Sequence, residues 1–268
     1  MKSKLTAKSA FLVVLVYIVV SIIAGFFSVI FLGGVKTSQT ETIIDGIIGS
    51  SIYGKIMVMI FLMFISFFVF RDSRKDIFFE RKSFDLSKLY YLFPLTWLGV
   101  TLFALYTVDF SSYSFREILL VMVASLAIGV NEEIVTRGIL LVGLRNSEVV
   151  EWKAWLVTVV VFSLLHLVNV FGGANLTVLL VVITGGTLLY VSRRVFNNLF
   201  VPIGLHALYD TAFYLLTGIY LVGESLPDKV LDIQFGSFLV LLLATILFLI
   251  FGRGFLIDET TGWQEQHH

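Results

Sequence analysis

Eight stretches of the chain run almost without charge for long enough to cross a bilayer: 11–32, 52–70, 89–108, 118–142, 155–171, 176–190, 199–221 and 235–251. A helix rising 1.5 Å per residue needs about 20 apolar residues to span hydrocarbon roughly 30 Å thick. The pattern therefore predicts an all-α, polytopic membrane bundle of about eight transmembrane helices. The first stretch is too long for a signal-peptide core and has no small-x-small cleavage site at its end, so it reads as an uncleaved span. The sixth is the shortest and reads as tilted or partly buried.

Composition agrees. Hydrophobic residues make up 58% of the 268, charged residues only 14%, and the mean hydropathy is +0.96, far from the usage of a water-soluble domain. Net charge is zero. No Lys/Arg run with interleaved aromatics follows a phosphate backbone, so nucleic acid is excluded as a partner. With no cysteine, disulfides, thiolate metal sites, cysteine-linked lipids and a cysteine nucleophile are excluded too.

Cytoplasmic loops keep an excess of Lys and Arg. An N-terminus placed inside puts Lys2, Lys4, Lys8, Arg71, Arg74, Lys75, Arg81, Lys82, Lys88, Arg145, Lys153, Arg193, Arg194 and Arg253 on the cytoplasmic side. Only Lys36, Lys55, Arg116 and Lys229 fall on the other. Both termini are thus expected in the cytoplasm, of a bacterial plasma membrane, since no organelle-retention signal is present. No Pro-, Gly- or Ser-rich linker divides the chain. One integral domain is expected, with N-terminal helices and a loop over 1–117, a core over 118–221 and a last helix and tail over 222–268. Segment 71–88 reads as a solvated loop meeting anionic lipid, Arg193 and Arg194 as a cytoplasmic anchor, and Gly185-Gly186 as a site of close helix packing.

The candidate chemistry lies in the few polar residues inside the spans. Glu132 and Glu133 are adjacent in the fourth, with Arg137 one turn on. A carboxylate at that depth costs about 2.5 kcal/mol or more. Residues four apart share a helix face, so Glu133 and Arg137 are expected to pair, while Glu132 is rotated by about 100° and stays unpaired in a low dielectric suited to general-base duty. A buried salt bridge without chemistry is the competing reading. The two non-terminal histidines also fall inside spans: Phe162, His166 and Asn169 share a face of the fifth, and His206 and Asp210 a face of the seventh. Measured from the cytoplasmic ends of their spans, Glu132, His166 and His206 lie roughly 15, 17 and 11 Å deep. All three can line one cavity open to the cytoplasm, through which water enters.

Glu132-Glu133-Ile-Val-Thr-Arg137, Phe162-Ser-Leu-Leu-His166 and His206-Ala-Leu-Tyr-Asp210 resemble the three motifs of the CPBP (Abi, CAAX-processing) intramembrane proteases, over a region from about Ile118 to Leu221. The resemblance implies an endopeptidase that cleaves membrane-associated peptides or proteins: in eukaryotes after a prenylated cysteine, in bacteria on bacteriocins, pheromone-like peptides or membrane proteins. It implies Glu132 as the base that activates water, His166 as a residue that holds the water, and His206 with Asp210 as stabilisers of the oxyanion. The commonest pattern has asparagine where this chain has Asp210. An ionised carboxylate only accepts hydrogen bonds, so Asp210 is protonated, orients His206 or ligates a metal. Glu132, His166 and His206 form a set that can hold a catalytic zinc, and a metal-free glutamate mechanism is the alternative. HExxH is excluded, because His267 and His268 end the chain. GxSxG and GxGD are absent, which disfavours serine and aspartyl intramembrane chemistry. A non-catalytic scaffold or bacteriocin-immunity protein is the competing function. A proton-relay transporter ranks below it, lacking inverted repeats or paired broken helices.

Overall fold

The computed structural model describes residues 5–31, 42, 52–80, 88–167, 177–220 and 225–252. The described helices are α1 (Ala7–Phe31), α2 (Ile52–Phe64), α3 (Arg74–Phe78), α4 (Leu92–Tyr106), α5 (Phe115–Glu133), α6 (Leu141–Arg145), α7 (Glu151–Leu165), α8 (Thr177–Phe196), α9 (Phe200–Thr217) and α10 (Asp228–Phe251). Among the described residues every one of the eight apolar stretches contains a long helix. Six helical segments are long and apolar enough to cross a membrane: Ala7–Ser28, Ile52–Val69, Lys88–Tyr106, Phe115–Arg145, Leu179–Phe196 and Asp228–Phe251. The other two are α7, with 15 residues, and α9, with 18, which carries His206 and Asp210.

The outer helices turn large apolar side chains outward. Leu12, Leu15, Phe26 and Ile30 of α1 and Leu243, Ile250 and Phe251 of α10 are all exposed, a surface whose natural solvent is hydrocarbon. Charge patterning starts the fourth span where the chain supplies a cap. The Ser114 hydroxyl accepts from the Glu117 backbone N–H, and the Glu117 carboxylate accepts from the Ser114 N–H at 2.7 Å, which satisfies donors that a helix N-terminus leaves open. From there α5 runs directly into a π-helical turn over Ile134–Leu140 and on into α6. Every residue of the π turn is buried.

Close approach of α5 and α9 places the site. At Gly129, one turn before the two glutamates, a Cβ would stand 3.0 Å from the Ile203 carbonyl oxygen and 3.3 Å from the Ala207 nitrogen. Glycine at that position lets two backbones touch. On the other side α4 is tied to α9 by the Trp97 indole, which donates to the Leu205 carbonyl at 3.0 Å.

Two expectations change. The sixth helix does not stop near Tyr190 but continues to Phe196, because Arg193 and Arg194 are not an exposed anchor: both are fully buried and paired with acidic side chains. Segment 71–88 is only partly a solvated loop. Arg71, Asp72, Arg74 and Lys75 are exposed, but Ile77 and Phe78 are core residues and the Glu80 side chain is 1% exposed, while 81–87 lie outside the described residues. Lys55, counted in the sequence only for the charge of the non-cytoplasmic side, also lies close to the site. It is half-buried on α2, and its carbonyl accepts from the Asn131 side chain at 2.9 Å, next to Glu132.

Candidate active site

The i,i+4 pairing expected of Glu133 and Arg137 is present. Arg137 Nη1 donates to Glu133 Oε1 at 2.9 Å, with both side chains fully buried. Arg137 also donates to Thr136 Oγ1 and to the Gly186 carbonyl, each at 2.9 Å, and its guanidinium lies 4.0 Å from the Phe162 ring centroid. The close packing read for Gly185-Gly186 is thus specific. A Cβ at Gly186 would press on Phe162 and Arg137 at 3.2 and 3.3 Å, and one at Gly185 would strike the Trp97 ring at 2.9 Å.

Phe162 is the hub of the aromatic contacts. Its ring meets His166 at 4.7 Å and His206 at 5.7 Å between centroids, so one side chain packs against Arg137 and both imidazoles. The imidazoles are held by their Nδ1 atoms. His206 Nδ1 faces Glu133 Oε1 at 2.9 Å, and His166 Nδ1 faces its own helix at the Phe162 carbonyl, 2.8 Å away. Both partners are acceptors, so each Nδ1 carries a proton and donates it.

The two Nε2 atoms are then directed at Glu132. His166 Nε2 is 3.5 Å and His206 Nε2 is 3.8 Å from Glu132 Oε2, and that oxygen makes no hydrogen bond to the protein. Asp210 Oδ2 lies 3.7 Å from His206 Nε2. The four residues read as central, from three helices well separated in sequence, therefore share one site, with Glu133, Arg137 and Phe162 around them. Asn169 lies outside the described residues.

Unequal sequence depths are reconciled by where α9 begins. Its first turn does not start at the Arg145 edge of the bundle, because the Leu199 N–H donates to the Phe78 carbonyl at 2.9 Å and the buried Leu199 side chain packs at Gly138. Gly138 is seven residues, about 10 Å, up the rod from Arg145. That offset brings His206 level with Glu132.

Motif reading missed several neighbours. Lys55 on α2 and Tyr17 on α1 both lie within electrostatic reach of Glu132, and Lys55 and Tyr214 within reach of Asp210. An intramembrane lysine is itself a signal, obscured here because Lys55 stands three residues inside its span.

The Arg145 edge of the bundle holds a second polar cluster. Glu80 accepts from Arg145 Nη1 at 2.8 Å and Arg193 Nε at 2.7 Å, while Glu151 accepts from Arg145 Nε at 2.9 Å, Arg194 Nη1 at 2.7 Å and the Tyr190 hydroxyl. Burial alone would raise the Glu80 carboxyl, but Arg145, Arg194 and Arg193 hold it well below the usual carboxylate range. Glu151 is likewise lowered, against burial, to about 2 by Arg145 and Arg194.

Among the described residues no three His, Asp or Glu side chains form a ready-made metal cage. The donor types around Glu132 are still ones that zinc accepts: metal-binding histidines commonly donate their other ring N–H to a carboxylate or a carbonyl, as both Nδ1 atoms do here.

A family model described as type II CAAX prenyl endopeptidase Rce1-like matches residues 114–212, from the cap of α5 to two residues past Asp210. No curated protein and no solved structure matches the chain. Over residues 114–212, which hold all three motifs gathered on one site inside a helical membrane bundle, the chain is similar to the CAAX prenyl endopeptidase family.

Proposed function

We propose that the protein is an intramembrane endopeptidase that hydrolyses peptide bonds of membrane-associated peptides or proteins with a water activated by Glu132. The observation that carries this reading is the buried Glu132 Oε2 without a hydrogen bond, flanked by His166 Nε2 at 3.5 Å and His206 Nε2 at 3.8 Å. A water between Glu132 and His166 would offer one hydrogen to each. Glu132 removes one proton as the oxygen attacks the scissile carbonyl, His166 Nε2 accepts the other hydrogen bond, and Glu132 returns its proton to the leaving amine. Such positioned general-base catalysis is worth about 10²–10⁴ in rate.

His206 faces carboxylates at both ring nitrogens, Glu133 at Nδ1 and Asp210 near Nε2. As an imidazolium it donates from Nε2 to the developing oxyanion, with Asp210 as its counter-charge rather than as a donor. Lys55 balances the carboxylate that Asp210 adds where asparagine is commoner. Zinc, held by Glu132, His166 and His206, would supply polarisation of the scissile carbonyl. In that case His206 must be neutral at Nε2. The two roles of His206 exclude each other.

The site opens toward the cytoplasm in this reading, with both termini on that side. A purified preparation in liposomes is offered a membrane-peptide library, comparing wild type with Glu132→Ala and repeating both after chelation and zinc add-back. Cleavage by wild type alone supports the protease. Chelator sensitivity with zinc rescue assigns His206 to a metal, and insensitivity assigns it to the oxyanion. No cleavage by wild type, with Glu132→Ala keeping the cellular phenotype, would leave the scaffold or immunity reading.

A further inference from the structure

α8 holds Arg137 at both ends. The Gly186 carbonyl takes the Arg137 guanidinium through Nη2 at 2.9 Å. Seven residues later, two turns or about 10 Å along the same face, the guanidinium of Arg193 returns the contact, with Nη1 donating to the Arg137 carbonyl. Arg193 is itself fixed on every other side. Its Nε donates to Glu80 Oε1 at 2.7 Å, Nη1 to the Ile77 carbonyl at 3.1 Å and Nη2 to the Asp76 carbonyl at 2.8 Å, and the side chain is fully buried.

The held carbonyl lies in the π turn Ile134–Leu140. A π turn is where a regular helix ladder opens to side chains from outside, and such turns gather at functional sites. From Arg137 the path to the reacting atoms is short. Its Nη1 reaches Glu133 Oε1 at 2.9 Å, the same oxygen accepts from His206 Nδ1 at 2.9 Å, and His206 Nε2 faces Glu132.

We propose that Arg193 is a positioning residue for the site: by gripping the Arg137 backbone from α8 while Gly186 grips its side chain, it sets the π turn and, through Arg137 and Glu133, the orientation of His206 toward Glu132. The inference rests on the endopeptidase reading for its kinetic consequences. It separates the cluster at the Arg145 edge from a mere fastening of helix ends. Glu80, held in turn by Arg145, fixes the angle of the Arg193 fork.

The test is a double-mutant cycle on the full-length protein in liposomes. Arg193→Lys keeps a positive charge beside Glu80, but an ammonium cannot serve Glu80 and three carbonyls together as the planar fork does. A positioning role gives a fall of about tenfold or more in kcat with KM within about twofold, and no further fall when Arg137→Lys is already present, because Arg193 acts only through Arg137. Glu80→Gln, which leaves the Arg193 fork itself in place, gives a smaller loss that disappears in the same background. The His206 imidazole nitrogen shifts, read by NMR in micelles, move in Arg193→Lys without any substrate. Unchanged kcat in the folded variant, or losses that multiply with Arg137→Lys, would overturn the proposal. Should wild type cleave nothing, the endopeptidase reading fails, and the nitrogen shifts alone decide the inference: unmoved shifts sink it.

Discussion

Replacing Gly129 by alanine tests the packing that creates the site. The added Cβ would sit 3.0 Å from the Ile203 carbonyl oxygen and 3.3 Å from the Ala207 nitrogen. Both obstacles are backbone of α9, so no side chain can swing aside, and the two helices must part by a few tenths of an ångström. Overpacking of this kind costs about 1–3 kcal/mol, offset by up to about 1 kcal/mol from replacing a helical glycine. The net expectation is a destabilisation of about 1–2 kcal/mol. His206 rides on α9 one turn beyond Ile203, so the same shift lengthens its 2.9 Å contact with Glu133. Since misplacement by 1 Å can cost about 100-fold in rate, a fraction of that should cost about tenfold. Gly204→Ala is the control: on the same helix its Cβ meets nothing within 4 Å, so it should be neutral or slightly stabilising. Thermal unfolding in a fixed detergent and initial rates on one peptide give both quantities. The reasoning is refuted if Gly129→Ala matches Gly204→Ala in stability and rate.

The remaining predictions concern charge. Because the Glu80 and Glu151 carboxyls are lowered in the folded state, their contribution to stability is fully present above the unfolded carboxylate pKa of about 4.3 and fades as pH falls toward the folded values. Unfolding followed from pH 6 down to pH 3 should show this loss, and Glu80→Gln should flatten the slope. Asp210→Asn restores a side chain that can donate and removes the charge that Lys55 balances. Lys55→Gln should therefore lower kcat/KM in the wild-type chain by about three- to tenfold and much less in the Asp210→Asn background; equal losses in the two backgrounds would show that Lys55 and Asp210 are not coupled.

Much of the site was legible because its residues obey single-helix spacing. Glu133 with Arg137, and Phe162 with His166, are four apart, and each pair is in contact. Meetings between helices were not legible in that way. No spacing rule brings Lys55 beside Asn131 or Tyr17 within reach of Glu132, since these depend on which faces turn together. Charge also misled at the Arg145 edge. Arg193 and Arg194 stand at the end of an apolar run, where the positive-inside rule expects exposed anchors, yet three arginines and two glutamates there form ion pairs with one another in the interior. The seventh stretch counts as a span in the sequence, yet α9 is not among the six helices apolar enough to cross a membrane: His206 and Asp210 belong to a helix enclosed by α4, α5 and α8, so its bilayer-facing surface is small and its sequence less apolar than that of α1 or α10.

Direct attack on the peptide bond by a water that Glu132 activates leaves an isotopic signature. A single turnover in ¹⁸O-labelled water, followed by mass spectrometry of both product and enzyme, tests it most directly. One labelled oxygen is expected in the new carboxylate of the first-turnover product, with no label in the Glu132 peptide and no product from Glu132→Gln. Label appearing in Glu132 with an unlabelled first product would instead mean that the carboxylate itself attacks, and product formed by Glu132→Gln at the wild-type rate would remove Glu132 from the chemistry altogether.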